Sequence, residues 1–312
     1  MERESIIQSD TIFALSSGSL PAGIAVFRLS GPRALEIIKT LTGRSLPEAR
    51  RATLNQLKDP KTHEVIDQVL TIIFPKPRSF TGEDVVEIHA HGGRAVAHAI
   101  EDLLIGLKAR PAEAGEFTKR AFHNGCLNLV EAEGLADLIH AETEAQRKLA
   151  VSQMEGQLST LYEHWRKRLL TSLALIEAEI DFADEDVPEH LFEQVRPDLE
   201  VLRSDIQDHL EDGHKGERLR DGIQIAVLGK PNSGKSSLIN MLAKRDVAIV
   251  SDIEGTTRDV IDVHLDLGGY PVTVADTAGL RDSHDEIEQE GIRRAIKKAE
   301  HADLKIIMVD AR

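Results

Sequence analysis

Cysteine is almost missing from this 312-residue chain: Cys126 stands alone. A single thiol cannot close an internal disulfide or build a cysteine-rich metal site, so a reducing compartment is expected and the fold must rest on packing. Aromatic residues are scarce too, at 4%, with one tryptophan and two tyrosines. No apolar run approaches the roughly 18 residues of a membrane helix, and the N-terminal MERESIIQSD lacks the apolar centre of a secretory signal. The expectation is a cytoplasmic protein with no membrane segment. Basic residues are outnumbered, 38 against 53 acidic, for a net charge of −15. That balance argues against a generally basic nucleic-acid coat protein, while leaving room for a local basic patch. What remains is ordinary globular material, with 41% hydrophobic and 29% charged residues in a length that suits about two domains.

The charge is uneven along the chain. Residues 1–120 carry 16 basic and 15 acidic side chains, residues 121–220 carry 10 and 22, and residues 221–312 carry 12 and 16. The acidic middle fits a solvated helical unit better than a sheet. In the first segment GIAVFRLSG (Gly23–Gly31), VIDQVLTIIFP (Val65–Pro75) and VVEIHAHGG (Val85–Gly93) read as strands ended by glycine or proline. ALEIIKTLTG and RAVAHAIEDLLIGL space their apolar residues as helices do, so an α+β domain is expected. From Leu129 to Phe182 there is no proline and only Gly134 and Gly156, and helical spacing resumes from LFEQVRPDLEVLRSDIQDHLEDG until Gly213. Two or three antiparallel helices are the simplest reading. The third segment changes period again, with a buried-strand run at Ile223–Gly229, a helix from about Gly234 to Ala243 and two strands joined at Gly268–Gly269. A charged helix over Asp285–Ala302 and a strand at Leu304–Asp310 complete it. The boundaries that result are 1–120, 121–215 and 216–312.

Gly229-Lys230-Pro231-Asn232-Ser233-Gly234-Lys235-Ser236 fits G-x-x-x-x-G-K-[ST] between an apolar strand and a helix. Its glycines let the backbone wrap closely enough for N–H groups to meet phosphate oxygens. Lys235 then neutralises β- and γ-phosphate charge and Ser236 Oγ ligates Mg²⁺. Asp276-Thr277-Ala278-Gly279 follows the second strand of the hairpin, where Asp276 reaches Mg²⁺ through water and the Gly279 N–H senses the γ-phosphate. Gly255-Thr256-Thr257-Arg258-Asp259 supplies a threonine hydroxyl that completes the Mg²⁺ shell. Each alone reads equally as a polar turn; the three in order point to a G-domain, ahead of an unrelated ATPase. Where Ras-type enzymes carry a water-orienting glutamine, this chain has the apolar Leu280. Spacing leaves Asp282, Asp285, Glu286, Glu288 and Glu290 open as replacements.

DTIFALSSGSLPAGIAVFRLSG, SFTGEDVVEIHAHGG, GEFTKRAFHNG, GKPNSGKSSLIN, SDIEGTTRD and DTAGLRDSHDEIEQEGI together resemble the MnmE (TrmE) family of bacterial tRNA-modification GTPases over essentially the whole chain. The resemblance implies a multidomain α/β protein. Its parts are an N-terminal α+β folate-binding domain that also forms a homodimer, an α-helical middle domain, and a P-loop (Ras-like) α/β G-domain inserted into the helical domain. It implies modification of C5 of the wobble uridine (U34) in tRNA with the FAD-dependent partner MnmG, in a heterotetramer. The one-carbon unit comes from a tetrahydrofolate derivative of 5-formyl or methylene type. The resemblance places GTP on Ser233, Gly234, Lys235, Ser236 and Ser237 and on Asp276, Thr277, Ala278 and Gly279. It gives Mg²⁺ to Ser236 and Thr257. K⁺, in place of an arginine finger, goes to Asn232 with the loop carbonyls of Ser251, Ile253 and Thr256. Among the acidic candidates, Glu288 matches the water-orienting glutamate. Arg28 and Glu87 match folate-contacting positions: an arginine pairs with a glutamyl-tail carboxylate, and a carboxylate suits the pterin N–H donors. Without the resemblance both read as strand-end charges. His89 and His91 share a strand face, but no third metal ligand converges on them.

Two departures stand out. The family's F-L-N-G-K-x-D-L reads here Phe122-His123-Asn124-Gly125-Cys126-Leu127-Asn128-Leu129, so Cys126 replaces a folate-contacting lysine and Asn128 an aspartate. A thiol supplies no fixed positive charge, and a lone cysteine also reads as packing. The sequence stops at VDAR, before the [NT]KxD element that reads guanine and before the family's C-terminal C-x-G-K. The expectation is a G-domain represented by its first half, with guanine specificity implied by resemblance alone. The alternative is a folate-binding dimerisation scaffold whose partial G-domain is inactive.

Overall fold

Alternating apolar residues build the strands of the first unit. The structure is a computed structural model that describes residues 10–181, 191–229, 233–245, 262–276, 300 and 302–309. It divides into two compact units, Met1–Ala132 and Glu133–Arg312. In the first, Ile12–Leu15 (β1), Ala22–Ser30 (β2), Thr53–Lys58 (β3), Val65–Phe74 (β4), Val85–Gly92 (β5) and Arg110–Pro111 (β6) form one sheet in the order β3-β4-β5-β2-β1-β6. Every pairing is antiparallel except β1 with β6. The two-residue period sends Ala25, Phe27 and Leu29 of β2 and Val86, Ile88 and Ala90 of β5 into the core. Helices Ala34–Thr42 (α1) and Arg94–Gly106 (α2) pack on those residues through Ile37, Ile38 and Leu41 and through Ala97, Ile100 and Leu104. Each such isoleucine or leucine contributes about 1.5–3 kcal/mol by leaving water. Arg28, Glu87, His89 and His91 take the alternate positions of β2 and β5, pointing away from the core.

The second unit begins within Leu129–His140 (α4) and continues through Glu144–Met154 (α5), Gln157–Asp181 (α6) and Leu191–Asp221 (α7). Among the described residues the middle of the chain therefore holds these four helices, where apolar spacing suggested two or three. One break comes from a capping box: Thr143 Oγ1 accepts from Gln146 N at 3.3 Å while Gln146 Oε1 accepts from Thr143 N at 3.0 Å. α6 and α7 lie antiparallel, since Tyr162 and Trp165 meet His209 edge to face while Arg168 binds Asp198 and Asp205. α7 runs past Gly213, where the sequence suggested an end, and stops at Gly222. A mid-helix glycine costs only about 1 kcal/mol, whereas Gly222 takes φ +79° with its Cα hydrogen facing the Pro271 carbonyl.

Beyond Gly222, Ile223–Gly229 (β7), Lys235–Arg245 (α8), Asp262–Leu267 (β8), Tyr270–Asp276 (β9) and Leu304–Met308 (β10) make a sheet ordered β10-β7-β9-β8. β7 is parallel to both neighbours and β8 returns antiparallel through the Gly268–Gly269 turn. Val227, Leu265, Val272 and Val274 pack with Ile239 of α8. The charged helix expected at Asp285–Ala302 lies outside the described residues, apart from its end. No helix among the described residues is long and apolar enough to cross a membrane.

The N-terminal unit also buries charge. Arg120, on Glu116–His123 (α3), is 1% exposed, and its guanidinium binds Glu83 at 3.2 Å, Glu116 at 3.0 Å and Asp10 at 2.7 Å. Arg110 caps the same cluster through Glu116 at 2.6 Å. Replacing Arg120 by Met leaves Glu83 without its cation and Glu116 and Asp10 with Arg110 alone, and the expected loss is about 3–5 kcal/mol in urea unfolding followed by circular dichroism. The cluster also carries a pH dependence. Hydrogen bonds from Arg110, against the opposing effect of burial, hold the Glu116 carboxyl at about 2, below its ordinary 4.5. A depressed carboxyl pKa stabilises above the unfolded value and loses that contribution as pH falls. The urea midpoint should therefore be flat above about pH 5 and fall between roughly 4.5 and 2, and Glu116→Gln should reduce that slope.

Candidate functional site

The sheet of the second unit offers a phosphate cradle at the end of β7. Gly229 is its last residue, and a Cβ there would sit 2.5 Å from the Met308 carbonyl and 2.8 Å from Ser233 Oγ. The backbone leaves β7 in a conformation that only glycine holds without a clash. Gly234, at φ +94°, then starts α8, whose Leu238 N–H donates to its carbonyl at 3.0 Å. The N–H groups of the first turn have no carbonyl within the helix and face the loop.

Lys235 is 6% exposed, and its Nζ donates to Gly229 O at 2.7 Å across the loop. Among the described residues Ser233 Oγ is buried with no hydrogen-bond partner. An unmet buried hydroxyl costs about 1–3 kcal/mol unless a ligand supplies the bond. A cradle of glycine backbone, a buried ammonium and an unmet hydroxyl at a helix N-terminus is chemistry that fits a polyphosphate. Asp276 ends β9 opposite Val227 of β7, so it reaches the same edge of the sheet as Gly229. Ser237 lies exposed on α8. Asn232, Ser251, Ile253, Thr256, Thr257, Thr277, Ala278, Gly279 and Glu288 lie outside the described residues, as do the side chains of Ser236 and Asp276.

In the first unit the register of β2 and β5 sets Arg28 opposite Glu87. Arg28 Nε and Nη2 both donate to Glu87 Oε1, at 3.0 and 2.7 Å, and His89 Nε2 lies 3.4 Å from Oε2. Two residues read separately in the sequence are thus one ion pair. His91 takes a different partner: its N–H and Nδ1 meet Asp67 at 2.8 and 2.7 Å. Burial pushes the Asp67 carboxyl up, but those bonds and one from Gln68 N outweigh it and hold it below the ordinary range. The two histidines therefore serve separate carboxylates. Among the described residues no group of three His, Cys, Asp or Glu side chains could hold a metal ion.

Cys126 is exposed and faces the Ser79–Asp84 turn, where a Cβ on Gly82 would lie 2.9 Å from its Sγ. Asn124 Nδ2 donates to Thr81 O at 2.6 Å, and the Arg28 guanidinium lies 5.8 Å from the centre of the Phe80 ring. The residue pattern did not single out this turn, although its S-x-T-G composition is turn chemistry.

The N-terminal part of the chain, residues 11–126, matches the family description "GTP-binding protein TrmE N-terminus", and residues 129–310 match "MnmE helical domain". Among curated proteins, the chain is 58% identical over 301 residues to the tRNA modification GTPase MnmE of Parvibaculum lavamentivorans, an alignment covering 96% of this chain and 69% of that protein. It is 55% identical over 306 residues to the protein of that name in Agrobacterium fabrum, covering 97% and 69% of the two chains. The protein of that name in Rickettsia rickettsii is 53% identical over 304 residues, covering 97% of this chain and 68% of its own. Matched along both units and at this identity, the chain belongs to the MnmE (TrmE) family of tRNA modification GTPases.

Proposed function

We propose that this chain is the GTP-hydrolysing subunit of a system that modifies C5 of the tRNA wobble uridine. In this reading it uses a one-carbon unit carried on tetrahydrofolate and works with MnmG in a heterotetramer. The observation that carries the GTP part is the cradle at the end of β7, where buried Lys235 and the unmet Ser233 hydroxyl meet the N-terminus of α8. Family membership supports guanine as the base and tRNA as the substrate. The organisation proposed with it is a folate-binding and dimerising domain over 1–120, a helical domain over 121–215 and a G-domain region over 216–312.

Residues 233–237 wrap the phosphates, and Lys235 offsets β- and γ-phosphate charge as it builds up. Ser236 and Thr257 would hold Mg²⁺, which would supply positive charge against the phosphates. Asn232, with the carbonyls of Ser251, Ile253 and Thr256, would hold K⁺, which supplies the positive charge that other GTPases take from an arginine finger. Glu288 orients the attacking water, a task that the apolar Leu280 cannot perform. The segment Asp276-Thr277-Ala278-Gly279 senses the γ-phosphate through the Gly279 N–H, and its release on hydrolysis is the switch. In the N-terminal unit the paired Arg28 and Glu87 would meet the folate together, Arg28 turning its remaining donors to a carboxylate of the tail, and Cys126 lies beside the Ser79–Asp84 turn. Arg28 keeps donors beyond those given to Glu87, which supports an anionic ligand there, and the ligand proposed is a 5-formyl or methylene derivative of tetrahydrofolate.

Two substitutions separate binding from hydrolysis. Lys235→Ala should abolish binding of a fluorescent GDP analogue. Glu288→Ala should leave that binding within twofold and lower steady-state GTP hydrolysis in K⁺ by at least about 10²-fold. Unchanged hydrolysis in the glutamate variant would overturn the water-orienting role. Wild-type chain that binds folate and dimerises, yet hydrolyses no GTP in either K⁺ or Na⁺, would instead be a dimerisation scaffold.

A further inference from the structure

We propose that Phe80 is a positioning residue of the folate site: it fixes the Arg28 guanidinium so that the remaining edge meets a carboxylate on the tail of a reduced folate. This inference rests on the folate reading of Arg28 and Glu87 given above. Both hydrogen bonds from Arg28 converge on one oxygen, Glu87 Oε1, instead of spanning the carboxylate. A guanidinium held at a single acceptor can still swing about it, unlike the fork-on-fork arrangement that fixes a plane. The Phe80 ring closes off that swing, because the cation is attracted to the ring face 5.8 Å away. Among the described residues Arg28 Nη1 has no hydrogen-bond partner, and the side chain is 32% exposed, enough for an anionic ligand to reach it.

The ring is itself held. Ser79 Oγ donates to Glu83 O at 2.5 Å, and Ser30 Oγ lies 2.6 Å from both Thr81 Oγ1 and Glu83 Oε2. The Glu83 carboxylate is locked below by buried Arg120. The turn is closed on its far side by Asn124 and by the approach of Gly82 to Cys126. Phe80 is thus carried on a turn fixed on both sides, between the Arg28–Glu87 pair and the segment that bears Cys126.

The test is calorimetric titration of the whole chain with 5-formyltetrahydrofolate and with 5-formyltetrahydropteroate, the same molecule without its glutamate. Phe80→Leu removes the ring face and keeps most of the volume, while Phe80→Trp keeps a ring face. The leucine variant should bind the glutamate-bearing ligand about fivefold more weakly, with the pteroate within twofold of wild type and the melting midpoint unchanged. The tryptophan variant should match wild type for both ligands within twofold. Equal weakening of both ligands by Phe80→Leu, or no weakening of either, overturns the proposal. Arg28→Ala is the control for the underlying reading: loss of glutamate preference there with none in Phe80→Leu removes Phe80 alone, no loss in Arg28→Ala removes the tail-carboxylate role of Arg28 as well, and no binding of either ligand to the wild-type chain removes the folate reading. Should the leucine variant fail to fold, Phe80→Met is read by the same criteria.

Discussion

A buried guanidinium organises the N-terminal unit. Arg120 is covered almost completely, so its charge must be met in place, and it is met by carboxylates from three separate stretches: Asp10 before β1, Glu83 in the turn before β5, and Glu116 on its own helix. A cation in a low-dielectric interior tolerates little displacement of its partners, because each loses solvation that only the pair restores. The turn at Ser79–Asp84 therefore inherits its position from α3, and with it the residues that flank Arg28 and Cys126. The apolar core beneath the sheet makes the unit stable; the ion cluster decides where its functional loops sit.

The second unit solves a different problem, bringing backbone close to an anion. Its constraint is steric. At Gly229 the Met308 carbonyl and the Ser233 hydroxyl occupy the space that any Cβ would need, so the chain can leave β7 and enter α8 tightly only through glycine. Parallel strands on both sides make β7 an inner strand and set its C-terminal end, at Gly229, beside the end of β9. Lys235 follows directly, at the first position of the helix, where its long stem reaches back to the carbonyl of Gly229.

How legible each part was follows from how local its chemistry is. The phosphate cradle could be read from eight consecutive residues because glycine, lysine and serine each answer a constraint within one loop. The strands β2, β4 and β5 were legible from β-branched runs and their glycine or proline ends. β6, at two residues, and the short β1 carry too little pattern to register, and they exist because Ile12 and Phe13 pair with Arg110 and Pro111 far along the chain. The capping box at Thr143 and Gln146 was present in the residues but masked by uninterrupted helical spacing on both sides. Arg28 and Glu87 were found by resemblance as two ligand contacts; that they form one ion pair depends on the register of two strands 59 residues apart, which no local pattern encodes.

The two candidate sites share a physical feature that ordinary structural charges lack. Arg120 spends its donors on carboxylates of the same unit, and the cluster closes on itself. Arg28 instead places two donors on a single oxygen, and Ser233 keeps a buried hydroxyl with no bond, each leaving hydrogen-bonding capacity that the fold does not use. Unused capacity at a buried group such as the Ser233 hydroxyl is costly unless a ligand restores the balance, and at the half-exposed Arg28 it is a donor that water or a ligand can take. In the first unit the leftover donor belongs to a cation on an open sheet face and calls for a carboxylate. In the second the unmet hydroxyl lies beside Gly229 and just ahead of the N-terminus of α8, groups suited to phosphate oxygens. The contrast between closed and open polar groups, more than the presence of charge, separates the scaffold of this protein from its sites.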